Sequence, residues 1–541
     1  MITNRLPILG VILSGWLAFG MPAGESIEPS RQIPFVAAAG AMRAGIGPAM
    51  ELDATRFGVS GADAVDDTRA MSAMLVAARE QLDRGAVQRV RMRLPAGEVR
   101  ISSPLFLDRP GMALVGSGST ATRIVLLESL RGSVHHPEAY GGYAEWSFRG
   151  GMIWVESGAD AATAAGPVKV PLLIRAPAPA GSRILTVAAE GIPASGLQPG
   201  TVAILRWDAF PAAQLDVLFG ATRGAQAWTP REWGLISAQR TIRIEQPAVI
   251  DELWADGRIA LSSPLRVPID PGSRVAIGVP RGMLRDVVIS DLAIEGPDVP
   301  PTEHLQEEGY NGIFARYAVD CRFERLGFIN VDNAIVLERS HHITMRDLRC
   351  SGKKRGHHAL SLRNAHDNLV DQFAIVNSYH HGISVQDMAS GNVFTRGVMA
   401  SGTFDSHRGM PFDNVRTEIV IAPWGSAGGA TGPLVGRRMV NWNIEIRWPK
   451  GTWGDDPMSK KRRAKEAIIT GSQWYVSGAL VGIRGADPQP ESVPWSLPPG
   501  EKGTLVAQWG AIPEPANLFD AQRAWWQSAS AAWRSGQILV P

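Results

Sequence analysis

One apolar pattern recurs five times between Ile289 and Ser401. The segments begin at Ile289, Phe323, Met345, Val370 and Phe394, which are 34, 22, 25 and 24 residues apart. A second apolar set, Ile313, Ile335, Leu360 and Ile383, keeps step at spacings of 22, 25 and 23. A unit of that length cannot bury its own apolar positions, and stacking on its neighbours does so. The spacing therefore predicts a solenoid of short parallel strands. Asn330, Gly352 and Asn377 close several segments, where a turn calls for a positive φ. Cys321 and Cys350, the chain's two cysteines, fall inside the stack and are expected as unpaired core residues.

The rest of the chain is organised around that stack. Leu6 to Phe19 is uncharged and mostly apolar, follows Arg5, and leads to small residues at Pro22, Ala23 and Gly24. This order reads as a signal peptide over 1–24, with the mature protein secreted or periplasmic and free of the membrane after cleavage. Residues 25–50 read as a linker and 51–130 as an N-terminal cap with the first coils. Residues 131–280 fit the pattern poorly and read as an irregular β-rich insertion or an irregular early part of the helix. The central coils with the candidate active site follow over 281–430. Further coils and a helix that could cap the open end of the stack are expected over 431–541. In the cap, Asp66 or Asp67 can start a helix with Met71, Met74, Leu75 and Ala78 on one face, stopped near Gly85.

The cap also carries a motif series: Phe57-Gly58-Val59, Gly61-Ala62-Asp63, Asp66-Asp67-Thr68, Leu94-Pro95-Ala96-Gly97 and Val115-Gly116-Ser117-Gly118. It resembles the N-terminal opening of the pectate-lyase-like right-handed parallel β-helix superfamily, with Ala62 inserted between the Gly and the Asp. The resemblance implies an all-β fold, a right-handed parallel β-helix with an N-terminal capping helix. Residues 280–420 look like secreted β-helix proteins with His-His-Gly and Asp-x-His-Arg elements, which implies work on carbohydrate. The polygalacturonase-type Gly-His-Gly turn is only partly echoed in the segment from His380 to Asp387.

Lys and Arg total 54 against 52 Asp and Glu, so any basic site must be local. Nine of the 11 His lie between His304 and His407. The pairs His357-His358 and His380-His381 are one coil apart and should stack roughly 5 Å from each other. Strict alternation with Leu360 and Ile383 inward would turn His357 and His380 outward; a turn there could present His358 and His381 instead. Lys353, Lys354 and Arg355 add positive charge to the same edge. The next coil brings Asp405, His407, Arg408, Asn414 and Arg416.

This set suits β-elimination from an acidic, uronate-containing polysaccharide. Arg408, helped by Lys354 or Arg416, would neutralise the sugar carboxylate. One of His358 or His381 would act as base and His407 as acid, with Asp405 orienting His407 or holding a hydroxyl. Lys353, Arg355, His357, His380, Asp387 and Asn414 complete the expected binding surface.

A glycoside hydrolase would instead need two carboxyl groups, and Asp387 with Asp405 is the best pair, Asp413 the substitute. A non-catalytic binding or adhesin β-helix is the third reading, with Trp442, Trp448, Trp453, Trp474 and Tyr475 as candidate sugar platforms. The cluster Lys460, Lys461, Arg462, Arg463 and Lys465 is expected as a solvated loop or helix start. Stacked His are good Zn or Cu ligands, but there is no H-E-x-x-H and no Cys/His framework. No metal or other cofactor is expected, with calcium left open. The expected partner is the polysaccharide, not nucleic acid, and the expected state is a monomer.

Overall fold

The protein is described from a computed structural model. The described residues are 36–42, 49–133, 144–157, 170–209, 218, 244–280, 282–301, 303–406, 409–422, 436–447, 477–486 and 504–534. The expected signal segment and His407, Arg408, Trp448, Trp453, Trp474, Tyr475 and Lys460 to Lys465 lie outside them. No helix among the described residues is long and apolar enough to cross a membrane.

Two parallel sheets build a right-handed parallel β-helix, the first from Ala49–Asp53 to Leu505–Ala507 and the second from Leu105–Leu107 to Phe404–Ser406. The repeat positions read from sequence pair in register. Ile289 opposes Phe323, then Met345, Val370 and Phe394 follow on successive strands of the first sheet. Ile313, Ile335, Leu360 and Ile383 do the same on the second. These columns form one apolar core, which also takes in Cys321 and Cys350, both with free thiols. Isolated parallel bridges from Val319 through His341, His366 and Ser390 to Phe412 mark a further corner of the coil.

Each first-sheet strand in this region bends at one left-handed residue. The column is Asp291, Arg325, Asp347, Gln372, Arg396, Glu418 and Asn443, all with φ between 53° and 60°. Such a conformation costs a non-glycine residue about 1–2 kcal/mol. Here the bend folds the strand around the core. Asn330 and Gly352 take positive φ as expected. Asn377 instead donates from Nδ2 to the Lys354 carbonyl at 3.3 Å.

The helix Thr68–Asp83 buries Met71, Met74, Leu75 and Ala78. Asp66 accepts the Thr68 N–H, while Asp67 accepts from Ser60 and Arg100 and ties the helix start to the opening motif. The poorly patterned region holds a six-stranded antiparallel sheet: Leu172–Leu173, Arg274–Gly278, Val202–Ala209, Glu245–Leu253, Arg258–Leu261 and Ile184–Thr186. Its core includes Trp207, Ile250 and Ile277 and continues into Met388, Met410 and Phe412 of the coils. Both readings of residues 131–280 have a part: Ile153–Val155 is a strand of the second sheet and so belongs to the early helix.

Two terminal expectations are corrected. Val36 to Ala39, read as linker, are buried, because their small apolar side chains pack beside Leu369 and Val393. The helix Leu518–Arg534 starts against the flank of the first sheet, not over its open end. Leu518 donates its N–H to Thr417 Oγ1, and Asn517 donates to Thr395 Oγ1. Leu518 and Phe519 bury there with Val415 and Val440.

Candidate active site

The second sheet opens with a ladder of amides that changes into imidazoles. Asn311 donates from Nδ2 to the Trp146 carbonyl at 2.9 Å. One coil on, Asn333 donates to Asn311 Oδ1 at 3.0 Å. In the next coil the His358 backbone N–H donates to Asn333 Oδ1 at 3.2 Å, with ring Nδ1 also 3.2 Å away. His381 follows in register, its ring 4.8 Å from that of His358. The alternation that would have selected His357 and His380 breaks because Ala359 and Leu360 both enter the core. On the next rung Gly382 has no room for a side chain: a Cβ would lie 2.7 Å from the Thr403 backbone.

All four rings of the two pairs nevertheless gather. His357 lies 4.2 Å from His358 and 5.1 Å from His381, centroid to centroid. His304 completes the group, 4.2 Å from His380 and 5.0 Å from His357. His304 is exposed and His380 partly so, while His357, His358 and His381 are buried behind them.

Carboxylates stand behind two of the rings. Glu307 Oε2 is 3.5 Å from His357 Nδ1, and Asp405 Oδ2 is 3.6 Å from His381 Nδ1. Ser147 donates to Glu307, and Ser384 donates to Asp405 Oδ2 at 2.7 Å. Burial lowers the pKa of His357 to about 4, against the pull of Glu307. Burial, aided by the Arg355 charge, lowers that of His380 to about 3. Both are neutral at pH 7. Burial works against the charge of Glu307, but the bonds from His357 and Ser147 outweigh it and hold the carboxyl down to about 2.

The three basic residues at this edge separate. Lys353 is exposed and pairs with Asp298 at 2.6 Å. Lys354 is buried on Asp332 at 2.6 Å, with its ammonium 4.9 Å from the Tyr310 ring centroid. Asp332 also accepts the Gly309 and Tyr310 N–H groups, so Lys354 anchors the loop that carries Glu307 and is not open to a substrate. Arg355 is partly exposed and makes no ion pair or hydrogen bond among the described residues; its Nε is buried without a partner. Desolvation lowers its pKa.

Three other expected residues serve the scaffold. Asn414 ends a second ladder, accepting from Asn392 Nδ2 at 2.8 Å and donating to the Ala389 and Phe412 carbonyls. Arg416 follows Phe394 in the inward column, buried with its guanidinium 5.0 Å from the Phe404 ring centroid. Asp387 is buried in a left-handed turn at the end of its strand away from His381. Asp413, the substitute acid, is bound at both oxygens by Arg438. Trp442 is buried and donates its indole N–H to the Pro515 carbonyl at 2.6 Å.

His304 and Glu307 were missed from sequence. The signal was the 34-residue first spacing against 22–25 afterwards. The extra residues form the loop that brings both side chains over the stack. Two groups here could hold a metal ion, His304 with His357 and His381, and His358 with His381 and Asp405.

No protein-family model matches the chain, and no curated protein does. Among solved structures it is similar to the tailspike protein gp49 of Pseudomonas phage LKA1, at 14% identity and a TM-score of 0.47. That match covers 74% of this chain and 60% of the tailspike, so the chain spans less than two thirds of its length. It is also similar to a hyperthermoactive exopolygalacturonase of Thermotoga maritima, at 12% identity and a TM-score of 0.35, over 75% of this chain and 83% of that one. The A-module of the mannuronan C-5 epimerase AlgE4 of Azotobacter vinelandii gives 12% and 0.35, over 85% and 96%. These likenesses concern the fold, which hosts many chemistries.

Proposed function

We propose that the chain is a carbohydrate-active enzyme, a polysaccharide lyase that cleaves an acidic, uronate-containing polymer by β-elimination. The observation that carries this reading is the His381–Asp405 pair set among stacked imidazoles, with Arg355 lacking an acidic partner among the described residues. Asp405, 3.6 Å from Nδ1, favours the tautomer that leaves the other ring nitrogen of His381 to take a proton; that nitrogen is buried, so the substrate reaches it by displacing the rings of His304 and His380.

In this reading His381 removes the proton α to the uronate carboxylate. The electron pair moves into an enolate-like carboxylate that Arg355 neutralises, and the bond to the 4-linked oxygen then breaks. His407, two residues beyond Asp405 in sequence, supplies the leaving oxygen with a proton, and Arg408 assists Arg355. Because His357 and His380 are held neutral at pH 7, the positive charge facing the polymer comes from the arginines. The hydrolase alternative has no comparable support. Asp413 is occupied by Arg438, and Asp387 lies in the turn at the other end of its strand.

Site variants with separated kinetic constants test the assignment. Asp405→Asn should lower kcat by about 10²-fold or more, the range of general acid–base contributions. Arg355→Ala should raise KM and lower kcat together. Near-normal turnover in both, with unchanged circular dichroism, would remove these residues from the reaction.

A further inference from the structure

We infer that His304, His357 and His381 form a binding site for a borderline divalent transition ion of the Zn2+ class. Each residue offers one ring nitrogen, and the three atoms lie within 4.8 Å of one another. Tetrahedral Zn–N bonds of about 2.0–2.1 Å place ligand nitrogens about 3.4 Å apart, so the set needs to close by little more than an ångström. His304 can supply that movement, since it is exposed and sits in the long loop before the strand Ile313–Arg316.

The surroundings of the other two rings are those of metal-binding imidazoles. Glu307 stands at His357 Nδ1 and Asp405 at His381 Nδ1, and each carboxylate is held by a serine hydroxyl. At 3.5 and 3.6 Å these carboxylates stand just short of bonding; on closing to hydrogen-bond distance they would fix each tautomer and raise the basicity of the other ring nitrogen, the arrangement that accompanies histidine ligands. Three imidazoles favour Zn, Cu or Ni, whereas Ca2+ and Mg2+ take oxygen ligands. Three protein ligands leave a fourth position for water or a substrate oxygen. The second triad, His358, His381 and Asp405, is buried throughout, so the exposed His304 marks the outer triad as the one with an entry path.

One consequence rests on the proposed elimination. The ion and the substrate proton would compete for His381, so metal loading should switch the lyase off.

The test is calorimetric titration of the full-length, chelator-stripped chain with Zn2+, and with Ca2+ for comparison. One Zn2+ per chain and no Ca2+ at this site is expected. His304→Ala should weaken Zn2+ binding at least 10-fold, and Glu307→Gln, which removes a positioning charge, 10–100-fold. Absence of stoichiometric Zn2+ binding, or equal affinity in wild type and His304→Ala, would overturn the site. Titration needs no turnover, so a lost lyase reading leaves this result standing. Elimination that proceeds in chelator without Zn2+ binding would reject the metal site alone.

Discussion

Asn392 uses both ends of its side-chain amide. Its Oδ1 accepts from Asn368 Nδ2 at 2.9 Å, and its Nδ2 donates to Asn414 Oδ1 at 2.8 Å and to the Ala365 carbonyl at 2.9 Å. All are buried, so Asn392→Ala orphans the Asn368 N–H, which donates to Asn392 Oδ1 at 3.1 Å, and takes one of two bonds from each of Asn368 Nδ2, Asn414 Oδ1 and the Ala365 carbonyl. A loss of about 3 kcal/mol is expected from the denaturant midpoint, at about 1–3 kcal/mol per orphaned group. The parallel ladder through Asn311 and Asn333 ends in imidazoles, and that substitution of chemistry on an existing scaffold marks the site. The one-coil step between the histidine pairs was legible in sequence as a spacing. Which ring of each pair joins the ladder was not, because two consecutive inward residues, Ala359 and Leu360, are invisible to an alternation rule. Lys354 was equally opaque. A Lys-Lys-Arg run beside glycine reads as surface, and only the fold brings Asp332 beneath one of the three.

The element that departs most from the repeat sets the site's outer wall. The 34-residue coil that begins at Ile289 spends its extra residues on the loop with His304 and Glu307, and buried Lys354 pins that loop through Asp332. The antiparallel insertion is fastened elsewhere, by Arg266 on Asp367, both buried. Arg437 and Arg438 donate to the Arg266 carbonyl. Removing one member of a buried pair leaves an uncompensated charge, which costs about 3–5 kcal/mol. Asp367→Ala should therefore release the insertion, read as faster limited proteolysis within residues 170–280; an unchanged cleavage rate would argue against this fastening. The insertion's β character was legible from its strand-like pieces. Its docking face was not, because Met388, Met410 and Phe412 read as ordinary coil residues. The left-handed column was hidden for a related reason: Arg, Gln and Glu seldom adopt that backbone, so nothing local announces them.

Across the whole molecule, stability passes from coil to coil, and buried imidazoles tie it to pH. His341 and His366 stack under the corner of the helix, 5.3 Å apart, and His366 Nδ1 lies 2.9 Å from Ser390 Oγ. Burial lowers His341 to about 3 and His366 well below its ordinary value of 6.5, with the neighbouring His and Arg266 adding to both shifts. The unfolded chain takes up protons here near pH 6.5, where the folded chain does not. Stability is therefore full above that pH and falls as pH drops toward 3, by up to about 1.4 kcal/mol per unit for each ring. The melting temperature should decline between pH 6.5 and 4, and His366→Asn should flatten the decline; equal slopes would contradict this source of pH dependence.

The repeat spacing specified the solenoid because register in a coil is a whole-molecule property that one period encodes. Chemistry at its edge is not encoded that way, and it needs a direct reading. Incubating the protein with 4-linked uronate polymers while following ultraviolet absorbance together with reducing ends separates the alternatives. A rise in absorbance in step with new reducing ends, lost in Asp405→Asn, is the predicted result. New reducing ends without absorbance would make the enzyme a hydrolase and contradict elimination at His381.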